Sequence, residues 1–111
     1  MNESPIFACT YDLIRWLIPL TVQFPRNQRF VVAAAMQRAA LGLQECLIEA
    51  VRLPDTGARL KAADVELDKL RFYLRLSQDL HYISLDQQHH AAKIVAEIGK
   101  LLGGWQQRIK G

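Results

Sequence analysis

Strand patterning, paired cysteines and phosphate-loop glycines are what this sequence has least of, and each shortage removes a class of protein. No run alternates apolar and polar residues at period two, Val and Thr are scattered, and Ala, Leu, Gln, Glu, Arg and Lys dominate. The class is therefore all-α. Only two cysteines occur, Cys9 and Cys46, far apart and with no C-x-x-C. They read as reduced thiols and exclude a disulfide framework. Gly99, Gly103 and Gly104 lie at the end of a helical segment rather than between a strand and a helix, so no phosphate-cradling loop is present. Glu-x-x-His repeats, which a di-iron bundle needs on facing helices, are missing.

Catalytic pattern is equally scarce. The histidines are His81, His89 and His90, and adjacent residues on a helix point about 100° apart, so His89 and His90 do not share a metal. Asp86 with His90 has i, i+4 spacing and reads as a first-turn surface pair. Neither cysteine has a base nearby in the pattern. No catalytic residue, metal ligand or cofactor is assigned, and an enzyme is not expected. The most apolar early run, residues 13–20, is interrupted by Arg15 and Pro19 and preceded by Asp12, with no basic leader. It is neither a signal peptide nor a span, and a soluble cytoplasmic protein without a membrane partner is expected.

What is present is helical periodicity throughout 111 residues, which make a single domain, 1–111. Such a chain buries roughly two thirds of its unfolded surface when compact. Lys plus Arg is 14 and Asp plus Glu 11, a net charge of +3. That surplus permits a polyanionic partner without demanding one.

The stretch from Arg59 to Leu80 organises the rest. Leu60, Ala63, Leu67, Leu70 and Leu74 recur at alternating three- and four-residue steps and form one narrow stripe that packs inside the subunit. Val65, Phe72, Leu76 and Leu80 form a second apolar stripe, while Asp64, Asp68, Arg71, Arg75 and Asp79 share the polar face. One apolar face is satisfied by the chain itself. The second implies a partner subunit.

In chain order, helices are expected over about residues 7–23, 28–52, 58–81 and 85–108, an antiparallel four-helix bundle. Residues 1–5 are polar and expected to fray. Pro19 predicts a kink or a local break in the first helix. Pro25 ends that helix, Asn27 is placed to cap the next, and Phe24 and Phe30 bracket the turn, packing on each other's helices. The second helix is apolar on nearly every side, and its alanine-rich side is expected to meet other subunits. Thr56 is a candidate cap for the third helix. Ser84 with Gln87 makes a capping box for the fourth, whose core stripe is Ala91, Val95, Ile98, Leu102, Trp105 and Ile109. Ala92, Ala96, Gly99 and Gly103 form a stripe of small residues that predicts a close backbone contact.

Among the polar residues the arginines are the best lead. Arg71 and Arg75 stand one turn apart and can reach one ligand, although pairing with Asp68 and Asp79 at helical spacing is the blander reading. Arg26 and Arg29 mark the outside of the first turn.

Four elements then carry a family resemblance: Tyr11-Asp12-Leu13-Ile14-Arg15-Trp16-Leu17-Ile18-Pro19; Phe24-Pro25-Arg26 with Arg29-Phe30; Leu70-Arg71-Phe72-Tyr73-Leu74-Arg75; and Glu97-Ile98-Gly99-Lys100-Leu101-Leu102-Gly103-Gly104-Trp105. Together they resemble the accessory variability determinant (Avd) proteins of diversity-generating retroelements. The Phe-Pro-Arg turn alone also resembles bundle proteins encoded in intervening sequences of ribosomal RNA genes. Those typically carry Asn-Ile-Ala-Glu-Gly on helix two, where this chain has Leu47-Ile48-Glu49-Ala50. A self-assembling bundle of that type, with no polymerase partner, is the alternative. The Avd resemblance implies a basic, barrel-like homopentamer that binds a reverse transcriptase and nucleic acid and supports mutagenic copying of a template RNA. It makes Arg71 and Arg75 the leading contacts for polymerase or nucleic acid, with Arg26 and Arg29 second. Val65, Phe72 and Leu76 are the expected subunit interface. Asp64, Asp68 and Asp79 dilute a phosphate-binding field around Arg71 and Arg75, which directs that pair toward an acidic patch on the polymerase.

Overall fold

Leucines at helical spacing dictate the architecture. In the computed structural model, which describes residues 5–110, they lie on four helices: α1 (Pro5–Val22), α2 (Ala34–Arg52), α3 (Thr56–Asp79) and α4 (Leu85–Lys110). No strand occurs among the described residues. Each helix packs on the next in the chain, and α1 closes the ring against α4. Short connections join these long helices inside a body 45 × 24 × 21 Å, so successive helices run antiparallel. Leu13, Leu17, Met36, Leu43, Leu47, Leu60, Leu67, Leu70, Ile98 and Leu102 fill the centre. The organising stripe of α3 is buried throughout, Leu60, Ala63, Leu67, Leu70 and Leu74 alike.

Of the segment expected to fray, residues 1–4 lie outside the described residues, and Pro5 is already helical. Proline is tolerated in a first turn because its missing N–H has no helical partner there. α1 continues through Pro19 to Val22 without the break that proline suggests. Just beyond it, the Thr21 hydroxyl donates to the Ile18 carbonyl at 2.8 Å and accepts from Gln37 Nε2 on α2 at 2.8 Å. These bonds tie the end of the proline-containing helix to its neighbour.

The turn after α1 differs most from expectation. Pro25 is extended (φ −51°, ψ 141°) and opens a 3₁₀ turn, Arg26–Gln28, closed by the Gln28 N–H on the Pro25 carbonyl at 2.8 Å. A π-helical turn, Arg29–Ala33, follows, and α2 proper begins only at Ala34. Asn27 lies inside the 3₁₀ turn, and no side-chain hydrogen bond caps either turn. Phe24 is buried, its ring 5.3 Å from that of Tyr82. Phe30 instead stands in solvent, so the two phenylalanines do not bracket the turn.

α2 turns its alanine side inward. Ala39, Ala40 and Ala50, with Ala33 just before the helix, are buried in the subunit's own core, which is why α2 and α3 approach closely; the large apolar residues α2 leaves outside are Leu41, Ile48 and Val51. By length and composition the segment Arg26–Arg52 resembles a membrane span, but Met36, Leu43 and Leu47 on it find their apolar neighbours inside the bundle. Thr56 does not cap α3. It is the first residue of that helix, and its hydroxyl donates to the Ala50 carbonyl at 3.0 Å, satisfying an end group of α2 instead.

The other end of α3 closes in a Schellman motif, with His81 N–H on the Gln78 carbonyl (3.0 Å) and Tyr82 N–H on the Ser77 carbonyl (2.8 Å). His81 takes the left-handed position usually held by glycine, at φ 64°. Ser84 and Gln87 then form the reciprocal capping box of α4: Ser84 N–H to Gln87 Oε1 at 2.8 Å, Gln87 N–H to Ser84 Oγ at 3.0 Å. α4 runs through Gly103 and Gly104 to Lys110. Ala91, Val95, Ile98 and Leu102 of its stripe are buried, Trp105 is half-buried against Phe7, and Ile109 is exposed where the bundle ends.

Candidate nucleic-acid and partner interface

Arg71 projects from α3 on the side facing α4, and Arg75 stands exposed one turn farther along. Arg71 Nη1 donates to Asp68 Oδ1 at 2.7 Å, the local pairing its spacing allows. Its other terminal nitrogen lies over Gly99 of α4, 2.9 Å from where a Cβ would stand. The small-residue stripe of α4 thus receives a guanidinium there, not a neighbouring backbone. A cavity of about 200 Å³ beside it is lined by Arg71, Leu74, Gln88, Ala92, Val95 and Ala96. Farther down the stripe Gly103 has open space above it. Arg75 is exposed and forms no ion pair among the described residues, so the expected Arg75–Asp79 pair is not made.

The second apolar stripe of α3 lies outward. Phe72 is 60% and Val65 51% exposed, with Phe72 edge-on to Tyr73 at 5.3 Å. Leu76 is half-buried and packs on the core, so it joins the outer stripe to the interior.

Arg26 and Arg29 occupy the 3₁₀ and π turns at the end of the bundle where α3 gives way to α4. Both are exposed, and neither is ion-paired among the described residues. Between Asp12 and Glu45 the chain holds Arg15, Arg26, Arg29 and Arg38 and no acid. The two arginine pairs therefore belong to different surfaces, one on the α3/α4 flank and one on the α1–α2 turn. Phe30, 89% exposed after Arg29, is the residue that the expected Phe24–Phe30 bracket misplaces. The acid-free stretch around it was the available signal.

Little else has site character. His90, exposed, rests tilted against Trp16 with ring centres 4.8 Å apart, at the α1/α4 contact. Among the described residues no three His, Cys, Asp or Glu side chains gather as metal ligands. Burial pushes both thiols up, assisted by Glu97 and Asp12 at Cys9 and by Glu49 and Glu66 at Cys46. Neutral thiols are poor nucleophiles. Arg59 binds Asp55 at 3.1 Å and Glu49 at 3.2 Å, fastening the start of α3 to α2.

Two comparisons bear on this arrangement. The family model described as bAvd-like matches residues 6–109, which span all four helices. No curated protein matches the chain.

Proposed function

The chain belongs to the bAvd-like family, and from that premise we propose that it is a non-enzymatic accessory protein of a diversity-generating retroelement. It works in the cytoplasm, without cofactor, metal or membrane, as an adaptor that docks the element's reverse transcriptase and holds template RNA. The observation that carries this reading is the extent of the family match, which takes in both arginine surfaces and the whole core.

Charge divides the two tasks. On α3 the arginines alternate with Asp64, Asp68 and Asp79, and Arg71 is already paired with Asp68. A mixed surface of that kind suits a protein partner, where opposite charges fix register. Arg71 and Arg75 therefore contact the polymerase. Arg26 and Arg29 have no acid on their own stretch of chain and suit phosphates, whose binding rises with the number of free cations. Val65, Phe72 and Leu76 join subunits into a homopentamer, which multiplies a charge of +3 per chain into a strongly basic ring.

Co-expression with the reverse transcriptase encoded beside it, followed by capture of either partner at moderate salt, tests the adaptor reading. A stoichiometric complex is expected. Clean recovery of each protein alone would contradict it and leave a self-assembling bundle. Phe72→Glu is expected to sediment as smaller species; native mass in that variant would remove the outer stripe from the interface.

A further inference from the structure

Phe30 faces solvent at 89% exposure on a 3₁₀ turn followed by a π turn between Pro25 and Ala34, while Val32, Ala33 and Met36 take the core positions. π turns are uncommon and occur disproportionately at functional sites. Residues three apart eclipse in 3₁₀ winding, so Arg26 and Arg29 share a side, and Phe30 follows directly on Arg29.

The neighbours of this ring select its ligand. An anchor for an apolar pocket on another protein is ordinarily surrounded by further contacts that exclude water. Within the turn, residues 26–31, Phe30 and Val31 are the exposed apolar side chains and Arg26, Asn27, Gln28 and Arg29 are polar; Val22, Leu80 and Leu85 are further exposed apolar residues at that end. Asp79 and Asp86, which flank the connection at the same end of the bundle, pair with neither arginine among the described residues. An aromatic face beside two unpaired guanidiniums is complementary to a nucleotide whose base is free to leave its neighbours. In a duplex the base faces are already stacked.

We propose that Phe30 is a stacking platform for one unpaired nucleobase, with the adjoining phosphates held by Arg26 and Arg29. The ring stands on the π turn Arg29–Ala33. This assignment rests on the reading that the chain binds RNA, and it adds that the RNA is single-stranded at the point of contact.

The test is fluorescence anisotropy of the assembled protein with a labelled 20-nucleotide RNA of mixed sequence, alone and as a perfect duplex, across a salt series. Phe30→Leu, which keeps an apolar side chain without a π face, is expected to weaken single-strand binding about fivefold or more with an unchanged salt slope, and to leave duplex binding alone. Phe30→Trp is expected to restore or exceed the original affinity. Arg26→Ala with Arg29→Ala is expected to flatten the single-strand salt slope by about 1.4. Equal binding by Phe30→Leu, or equal losses on strand and duplex, overturns the platform. Loss of native mass or of polymerase capture in Phe30→Leu, with RNA binding intact, overturns it in favour of a protein contact. Polymerase capture by a wild-type protein that binds no RNA overturns it while leaving the adaptor reading standing.

Discussion

Arg71 and Arg75 stand on a regular α-helix among aspartates, whereas Arg26 and Arg29 stand on a turn wound first more tightly and then more loosely than an α-helix, with no acid between Asp12 and Glu45. The difference lies in what regular winding enforces. On α3 a charge always has neighbours three and four residues away, and Asp68 takes up Arg71 at 2.7 Å. In the turn the residues at those spacings are apolar, Gln23 or the other arginine, and with no acid among them the arginines keep their donors. Equal numbers of arginines thus make a balanced strip on one flank and a cationic knob at one end.

The largest expected effect probes what holds the knob in place. Phe24 is buried against Tyr82 beneath the turn, and Phe24→Ala should cost about 3 kcal/mol, read as a lower midpoint in chemical denaturation. A loss below about 1 kcal/mol would mean that the turn is held from elsewhere. Next, His81 sits at φ 64° in the connection that carries Tyr82, so His81→Gly should stabilise by about 1 kcal/mol. A destabilised variant would show that the imidazole itself contributes to that end of the bundle.

Asp68→Asn makes the strip resemble the knob. An exposed pair contributes little, so stability should change by less than about 1 kcal/mol, while a released Arg71 should steepen the salt dependence of RNA binding by about 0.7. An unchanged slope would mean that Asp68 does not screen Arg71. Smallest of all, Phe30→Ala should alter subunit stability by no more than about 0.5 kcal/mol, because the ring has almost no buried surface to lose. Phe24 and Phe30, six residues apart, then bracket the range from anchor to free platform.

Much of this was legible beforehand where a period decides the outcome. The five-residue stripe of α3 is buried as its spacing requires, and the Ser84–Gln87 box forms because both partners lie within one helical turn. The Arg71–Asp68 pair follows from the same rule. Legibility failed where a tertiary neighbour or a change of winding intervened. Thr56 looks like a start signal, yet the nearest unsatisfied carbonyl belongs to Ala50 across the turn. The alanines of α2 suggest a partner subunit, but α3 is near enough to use them. A cap at Asn27 presumes an α-helix starting at residue 28, whereas a 3₁₀ turn and a π turn precede α2 at Ala34, and the bracket of Phe24 with Phe30 presumes a contact that the exposed Phe30 does not make. Spacing alone does not disclose that Arg71 spans to Gly99, since no rule within one helix names a residue on another.

The most direct measurement captures polymerase and RNA side by side with two variants of matched oligomeric mass, Arg71→Ala/Arg75→Ala and Arg26→Ala/Arg29→Ala. The α3 variant is predicted to lose the polymerase and keep most RNA affinity, and the turn variant to lose RNA and keep the polymerase. Equal loss of both partners in both variants, or full retention in either, would contradict the division of labour between the two arginine surfaces.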